Sequence, residues 1–350
     1  MTANAADDSN SGRAKTGSGV DVVTGGGGFI GSHLVDRLLD STQRSVRVID
    51  NFSNGSKNNL AQHQGNPRLE VIEADVSDFR AMDGILDGAQ RVFHLAALAD
   101  IVPSINAPEA YFRSNVDGTF NMLQQAVNSG VERFVYTASS SCYGIPDAFP
   151  TPESSPIRPQ YPYALTKYLG EQLVSHWAQV YKLPTVSLRL FNVYGPRART
   201  SGTYGAVFGV FLAQIKAGKP VTIVGDGTQT RDFTFVSDVV SAFVAAADSD
   251  RAGEIYNVGS GDHYSVNRLV DLLGASERAY IPKRPGEPDC TFADITRIHR
   301  DLAWSASVPF DQGVGIMLEN IEHWRDAPVW TPDDIADATK DWFKYLGDAK

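Results

Sequence analysis

Short apolar runs alternate with helical periods through the first 190 residues of the chain. Runs at 20–24, 45–50, 69–74, 91–97, 131–138 and 185–190 read as strands. Between them apolar residues recur at helical spacing. Phe29, Ile30, Leu34, Val35, Leu38 and Leu39 share one face, and further helices are predicted at 78–88, 108–129 and 162–181. This alternation predicts an α/β fold, a doubly wound parallel sheet with right-handed crossovers. Beyond 190 the alternation breaks up. A helix near 204–217, a short strand at 221–224 and helices near 294–302 and 311–325 predict a smaller C-terminal lobe, partly interleaved with the sheet. The resulting division is a disordered tail at 1–19, a sheet domain at 20–190 with about 232–257, a second lobe at 191–231 and 258–330, and a C-terminal helix within 331–350. That helix has clear start signals: Thr331 as N-cap, Pro332 at the first helical position, then Asp333 and Asp334. Ile335, Thr339, Trp342 and Leu346 form one stripe, expected to pack on the body or on a second subunit.

The turn after the first strand changes this from a fold to a site. Gly25, Gly28 and Gly31 are spaced G-x-x-G-x-x-G between a strand and a helix, the arrangement of a turn that binds phosphate. The second strand ends in Asp50, 25 residues after Gly25, near the roughly 20-residue offset at which a carboxylate accepts the adenosine ribose hydroxyls. Asp50 would repel a 2′-phosphate, so the implied cofactor is NAD. A P-loop is excluded, because His33 follows Ser32 where a phosphate-binding Lys pair would stand. The dinucleotide is then expected to run from Phe29 and Ile30 in the turn past Asn51, Ser53, Asn54 and Gly55 after the second strand. Asp75 and Val76 after the third strand, Leu95, Ala96 and Ala97 after the fourth, and Asn115 on the following helix complete the candidate cofactor set. His94 reads as a core histidine.

Charge and cysteines narrow the partners. With 31 Lys and Arg against 41 Asp and Glu, the net charge of −10 argues against a nucleic acid or an anionic membrane as partner. An anionic substrate must therefore meet local cations. The two cysteines, Cys142 and Cys290, make no disulfide framework and have no partners at metal-ligand spacing, so no metal site is expected and a reducing, cytoplasmic compartment fits best. No apolar run reaches the ~20 residues of a membrane span.

The fifth strand delivers Ser139 and Ser140 to the same sheet edge, and the 162–181 helix carries Tyr163 and Lys167 one turn apart on one face. This set suits alcohol oxidation by hydride transfer. An ammonium beside a phenol favours the phenolate, so Tyr163 is the candidate general base. Lys167 is expected also to hold the nicotinamide ribose, and Ser139 the oxygen of the reacting alcohol.

With Thr24-Gly-x-x-Gly-x-x-Gly, Asp50, Ser139, Tyr163-x-x-x-Lys167 and Arg231-Asp232 in order, the chain resembles the extended short-chain dehydrogenase/reductase family from about Val20 to Glu319. It is most similar to the Rossmann-fold nucleotide-sugar epimerases and dehydratases, UDP-glucose 4-epimerases among them. The resemblance implies a nucleoside-diphosphate sugar oxidised at C4. It also implies a homodimer formed through the helices near 108–129 and 162–181. In the dehydratases of the family Asp-Glu follows the catalytic Ser or Thr, and the decarboxylases usually keep the Glu; here Ser140 and Ser141 stand there. The implied reaction is 4-epimerisation of a UDP-hexose or UDP-N-acetylhexosamine. A C4 dehydrogenase or 4,6-dehydratase releasing a 4-keto sugar and a catalytically silent NAD-binding regulator stay open as alternatives. Arg231 and Arg284 are expected to take the diphosphate, with Asn192 donating to a phosphate or the sugar. For Arg197 and Arg199 a surface role is equally expected. Cys290 aligns with a position bordering the sugar pocket, where its small side chain would admit an N-acetyl group. The 200–205 loop departs from the common family pattern.

Overall fold

The computed structural model describes residues 19–199 and 207–347, so nearly all of the predicted tail and the 200–205 loop lie outside the described residues. Six strands, β1 (Val20–Thr24), β2 (Ser45–Asp50), β3 (Leu69–Glu73), β4 (Ala89–His94), β5 (Arg133–Ser139) and β6 (Thr185–Leu190), lie in the order 3-2-1-4-5-6. A seventh, Glu254–Val258, pairs with the outer edge of β6, and every pairing is parallel.

Alternation along the strands builds two cores. Val23, Val48, Phe93 and Val135 point to the face covered by helices Phe29–Ser41 and Val236–Asp248. Their neighbours Val22, Ile49, Val92 and Phe134 point to the face covered by Gly118–Asn128 and Pro162–Tyr181. All eight are fully buried. Each such side chain contributes about 1.5–3 kcal/mol through removal from water.

Two predicted helices differ. In place of a helix at 78–88 there is one short turn, Arg80–Met82, followed by tight turns. Gly84 and Gly88 take φ of +67° and +75°, which no right-handed helix contains. The 108–129 run is helical throughout but includes a π turn at Arg113–Asp117. A short helix at Ile101–Asn106 precedes it and was not anticipated.

The second half of the chain gathers around an aromatic core in which Tyr194 stacks on Phe208 at 4.5 Å and Phe233 on Phe310 at 5.1 Å. Small parallel pairings (Val221–Val224 with Arg278–Ile281, Asn192–Tyr194 with Phe233–Phe235) frame it. Asp232, fully buried, accepts from the Ser260 and Ala293 backbone and from the Ser260 and Thr234 hydroxyls, so one carboxylate ties three loops together. The C-terminal helix Pro332–Leu346 has a capping box between Thr331 and Asp334, and its stripe packs on the body through Ile335, Thr339 and Trp342. Among the described residues no helix is long and apolar enough to cross a membrane.

Candidate active site

A cavity of about 690 Å³ opens along the carboxyl ends of the strands. Gly25, at φ +70°, makes the turn out of β1, and its carbonyl accepts from Gly28 at 3.0 Å. A Cβ at Gly31 would lie 2.2 Å from the Gly25 carbonyl oxygen, so the third glycine is what lets helix and turn meet. The helix that follows has no side-chain N-cap, and Gly28, Phe29, Ile30 and Gly31 line the cavity. An uncapped helix start of this kind, with its N–H donors turned to a cavity, suits a pyrophosphate.

Asp50 is fixed by two backbone donors, Gly27 at 2.9 Å and Phe52 at 2.8 Å, while burial pushes its carboxyl pKa up. Each oxygen retains a lone pair for a ribose hydroxyl. Asn51 donates to Asp75 at 3.0 Å, joining the loops after β2 and β3. Of the cofactor residues read from the sequence, all line the cavity except Asn115. Asn115 is buried behind the wall, where its amide bonds the Leu98 backbone in both directions and donates to Thr166. It shapes the 95–98 segment rather than touching the cavity.

His94 is a core residue, as expected. Thr24 Oγ1 already accepts from the Leu95 and Ala96 backbone, so its proton goes to His94 Nδ1 at 2.7 Å. That leaves Nε2–H to donate to Thr119, whose hydroxyl in turn donates to the Asn115 carbonyl. Burial lowers the imidazole to about 3, so this ring stays neutral.

Ser139, Tyr163 and Lys167 all line this cavity, with Lys167 Nζ 4.5 Å from the centroid of the Tyr136 ring. The Tyr163 hydroxyl donates to Ser139 Oγ at 3.3 Å, and Ser139 Oγ lies 2.8 Å from Ser141 Oγ. Tyr161 stacks on the Tyr163 ring at 6.4 Å with a 5° tilt. Burial pushes Tyr163 up, against the lowering effect of the Ser139 bond, and burial brings Lys167 down to about 7, against the Glu171 carboxylate. The expected lowering of the phenol by Lys167 is therefore absent from the protein alone, where desolvation dominates both groups.

Lys167 thus gives a pH dependence of stability. An ordinary lysine holds its proton to near 10.5, whereas the folded protein gives this one up near 7. Between those values the unfolded chain binds more protons, so stability rises with pH. In urea unfolding of NAD-free protein, Lys167→Met should exceed wild type in stability most at pH 6, the margin narrowing toward pH 9. A margin that widens instead would contradict the burial of this amine.

On the other side of the cavity the Arg231 guanidinium donates to Glu287 at 2.8 Å, and Arg284 stands 3.6 Å from the same carboxylate. Asn192 accepts from Thr291 through Oδ1, which leaves its amide donor for a ligand. Arg197 pairs with Asp36 on the first helix and does not line the cavity. Arg199 does line it, and joins Asp100 at 2.7 Å to Asn54 at 2.9 Å. Cys290 is not in the wall; its backbone bridges to Thr230, and Pro288 and Thr291 line the cavity beside it. A direct selective role for Cys290 has no geometric support. Cys142 is buried and its thiol pushed up to about 12, which keeps it unreactive. Sequence reasoning missed Glu287, Tyr161 and Trp342 as parts of the wall; only Glu287, three residues after Arg284 across Pro-Gly, had a legible signal.

A profile described as the NAD dependent epimerase/dehydratase family matches residues 22–259. The chain belongs to this family. It is 35% identical to the UDP-glucose 4-epimerase of Mycolicibacterium smegmatis over 85% of this chain and 97% of that one. It is also 33% identical to UDP-glucuronic acid decarboxylase 5 of Arabidopsis thaliana, over 85% and 88%. The solved UDP-glucuronic acid 4-epimerase of Bacillus cereus, in complex with UDP-glucuronic acid and NAD, superposes with a TM-score of 0.81 at 30% identity over 87% and 99%. NAD is the cofactor, and the chain is an NAD-dependent enzyme acting in nucleotide-sugar chemistry. The glycine turn, the uncapped helix start and the fixed Asp50 have the geometry that suits such a dinucleotide.

Proposed function

We propose that this protein is a 4-epimerase of a UDP-hexose or UDP-N-acetylhexosamine. The observation that carries the reading is the convergence of Ser139, Tyr163 and Lys167 with hydroxyls, not carboxylates, at Ser140 and Ser141. When bound, NAD supplies the acceptor and donor of the C4 hydride. Tyr163 takes the proton from the sugar O4 and returns it, and Ser139 holds that oxygen in line. Lys167, ionised beside the bound cofactor ribose, steadies the phenolate. Arg231 and Arg284 fork onto the diphosphate. The sheet domain of 20–190 with 232–257 carries the cofactor, and the segments 191–231 and 258–330 carry the substrate. The 4-keto sugar turns over inside the cavity and is reduced on its other face.

One observation favours a second reading, release of a 4-keto product. Asp100 lines the cavity in an ion pair with Arg199, and burial raises its carboxyl pKa against the lowering effect of that pair. A carboxyl group at the cavity is the kind of group that elimination requires. Proton NMR in deuterated buffer, without added NAD, on UDP-linked hexoses, hexuronic acids and N-acetylhexosamines separates the two. The epimerase gives a 4-epimer without ring deuterium; a 4-keto product or deuterium at C5 or C6 replaces it with the second reading. No conversion of any sugar would overturn both.

A homodimer formed by the helical run at 108–128 and the Pro162–Tyr181 helix fits their exposed Phe112, Phe120 and Leu165, each 39–47% exposed. The buried free thiol of Cys142 is consistent with a reducing cytoplasm.

A further inference from the structure

Arg284 sits at the start of a four-residue turn. Glu287 N donates to the Arg284 carbonyl at 3.4 Å, Pro285 takes the second position, and Gly286 the third with φ +72°, the residues that a type II turn requires. The turn brings the Arg284 guanidinium and the Glu287 carboxylate to the same side, at the cavity. In this turn type the second carbonyl faces away from the plane of the first, and that carbonyl, Pro285 O, accepts a hydrogen bond from Trp342 Nε1 at 2.7 Å. The indole ring of the same Trp342 lies 5.5 Å from the Arg284 guanidinium carbon. One side chain therefore grips both the backbone of the turn and the cation it presents.

Trp342 comes from the C-terminal helix, is 2% exposed, and forms part of the cavity wall. Its helix is anchored by the Thr331–Asp334 capping box and by buried Ile335 and Thr339, two turns and one turn ahead. The ring also meets Tyr161 at 6.1 Å, and Tyr161 is the residue stacked on Tyr163.

We propose that Trp342 is a positioning residue for the diphosphate of the substrate, acting through Arg284, and that the C-terminal helix is thereby a working wall of the substrate site. The proposal rests on the reading of Arg284 as a diphosphate ligand. An arginine has many rotamers, and an ion that binds a mobile guanidinium must order it; a ring beneath the guanidinium and a fixed turn carbonyl remove that cost beforehand. Trp342 reaches Tyr163 only through the Tyr161 ring and takes no part in the Tyr163–Ser139 bond, so the effect belongs to binding rather than to the chemical step.

The test uses full-length NAD-loaded enzyme, comparing wild type, Trp342→Ala and Trp342→Phe. UDP binding is followed by calorimetry, KM and kcat with the converted sugar nucleotide, and NAD content and Tm in parallel. For Trp342→Ala the UDP Kd and KM should both rise about tenfold while kcat stays within about twofold and NAD content is unchanged. Trp342→Phe keeps a ring under the cation but loses the Pro285 bond, and should lie between, near threefold. If Trp342→Ala does not fold, Trp342→Phe decides, an unchanged Kd overturning the proposal. A loss of Tm, kcat and NAD content together without a change in UDP Kd would mean a merely structural tryptophan and overturn it as well. Wild-type enzyme that binds UDP alongside an unaltered Trp342→Ala defeats this proposal alone; wild type that binds no UDP defeats the diphosphate reading and this proposal with it.

Discussion

Tyr163→Phe should lower kcat by about 10³-fold and leave the protein folded, NAD-loaded and able to bind UDP. The ring has its place without the hydroxyl: Tyr161 stacks on it at 6.4 Å and Tyr111 meets it edge-on at 6.4 Å. What the substitution removes is one oxygen, the one 3.3 Å from Ser139 Oγ. The phenolic O–H also carries a burial cost, so the variant should match or slightly exceed wild type in thermal stability. Steady-state kinetics with quantified bound NAD provide the check. Turnover retained within tenfold would remove Tyr163 from the chemistry and assign the general base to another group in the cavity.

Glu171→Gln should destabilise the protein by about 3–5 kcal/mol in urea unfolding, though it replaces a side chain by one of the same shape. Both Glu171 oxygens accept from Arg189, Oε1 from Nη2 at 2.6 Å and Oε2 from Nε at 2.8 Å, and the two side chains are 1% and 4% exposed. The pair fastens the Pro162–Tyr181 helix to β6. An amide cannot answer the buried guanidinium, whose remaining partners are the Tyr143 hydroxyl and the Glu153 carbonyl. There is a second effect one turn along the helix. Glu171 is what holds the Lys167 amine up against its burial, so in the variant Lys167 should lose its proton, and the enzyme its turnover, at lower pH on the alkaline side than in wild type. A stability change below about 1 kcal/mol would place the pair in a far wetter environment than its burial indicates.

The sheet was legible because buried parallel strands write their own pattern: Val22-Val23 and Val48-Ile49 are apolar on consecutive residues, which a half-exposed strand does not tolerate. The cofactor turn was legible because glycine is demanded by close approach, and a Cβ at Gly31 would strike backbone. The helix expected at 78–88 failed through glycines at positive φ, a backbone property that apolar spacing does not report. Asn115 was placed among the cofactor residues, yet its amide serves the neighbouring backbone, a distinction set by which way one side chain turns. Trp342 was read as packing, and it does pack. Its grip on the turn after Arg284 depends on contacts between residues nearly sixty positions apart, for which local spacing holds no record.

The last strand of the sheet carries a consequence for how the chain reaches its fold during synthesis. β6 is buried at all six positions, and its outer edge is covered by Glu254–Val258, which follows 63 residues later in the chain. At roughly 5–20 residues per second, translation leaves that edge without its partner for about 3 to 13 s. Throughout this interval the nascent cofactor half presents a row of unpaired amides flanked by apolar side chains, the template on which neighbouring chains pair. The arrival of residues 254–258 therefore ends a period of vulnerability to aggregation, and a polypeptide cut short before them would lack the strand that seals the sheet.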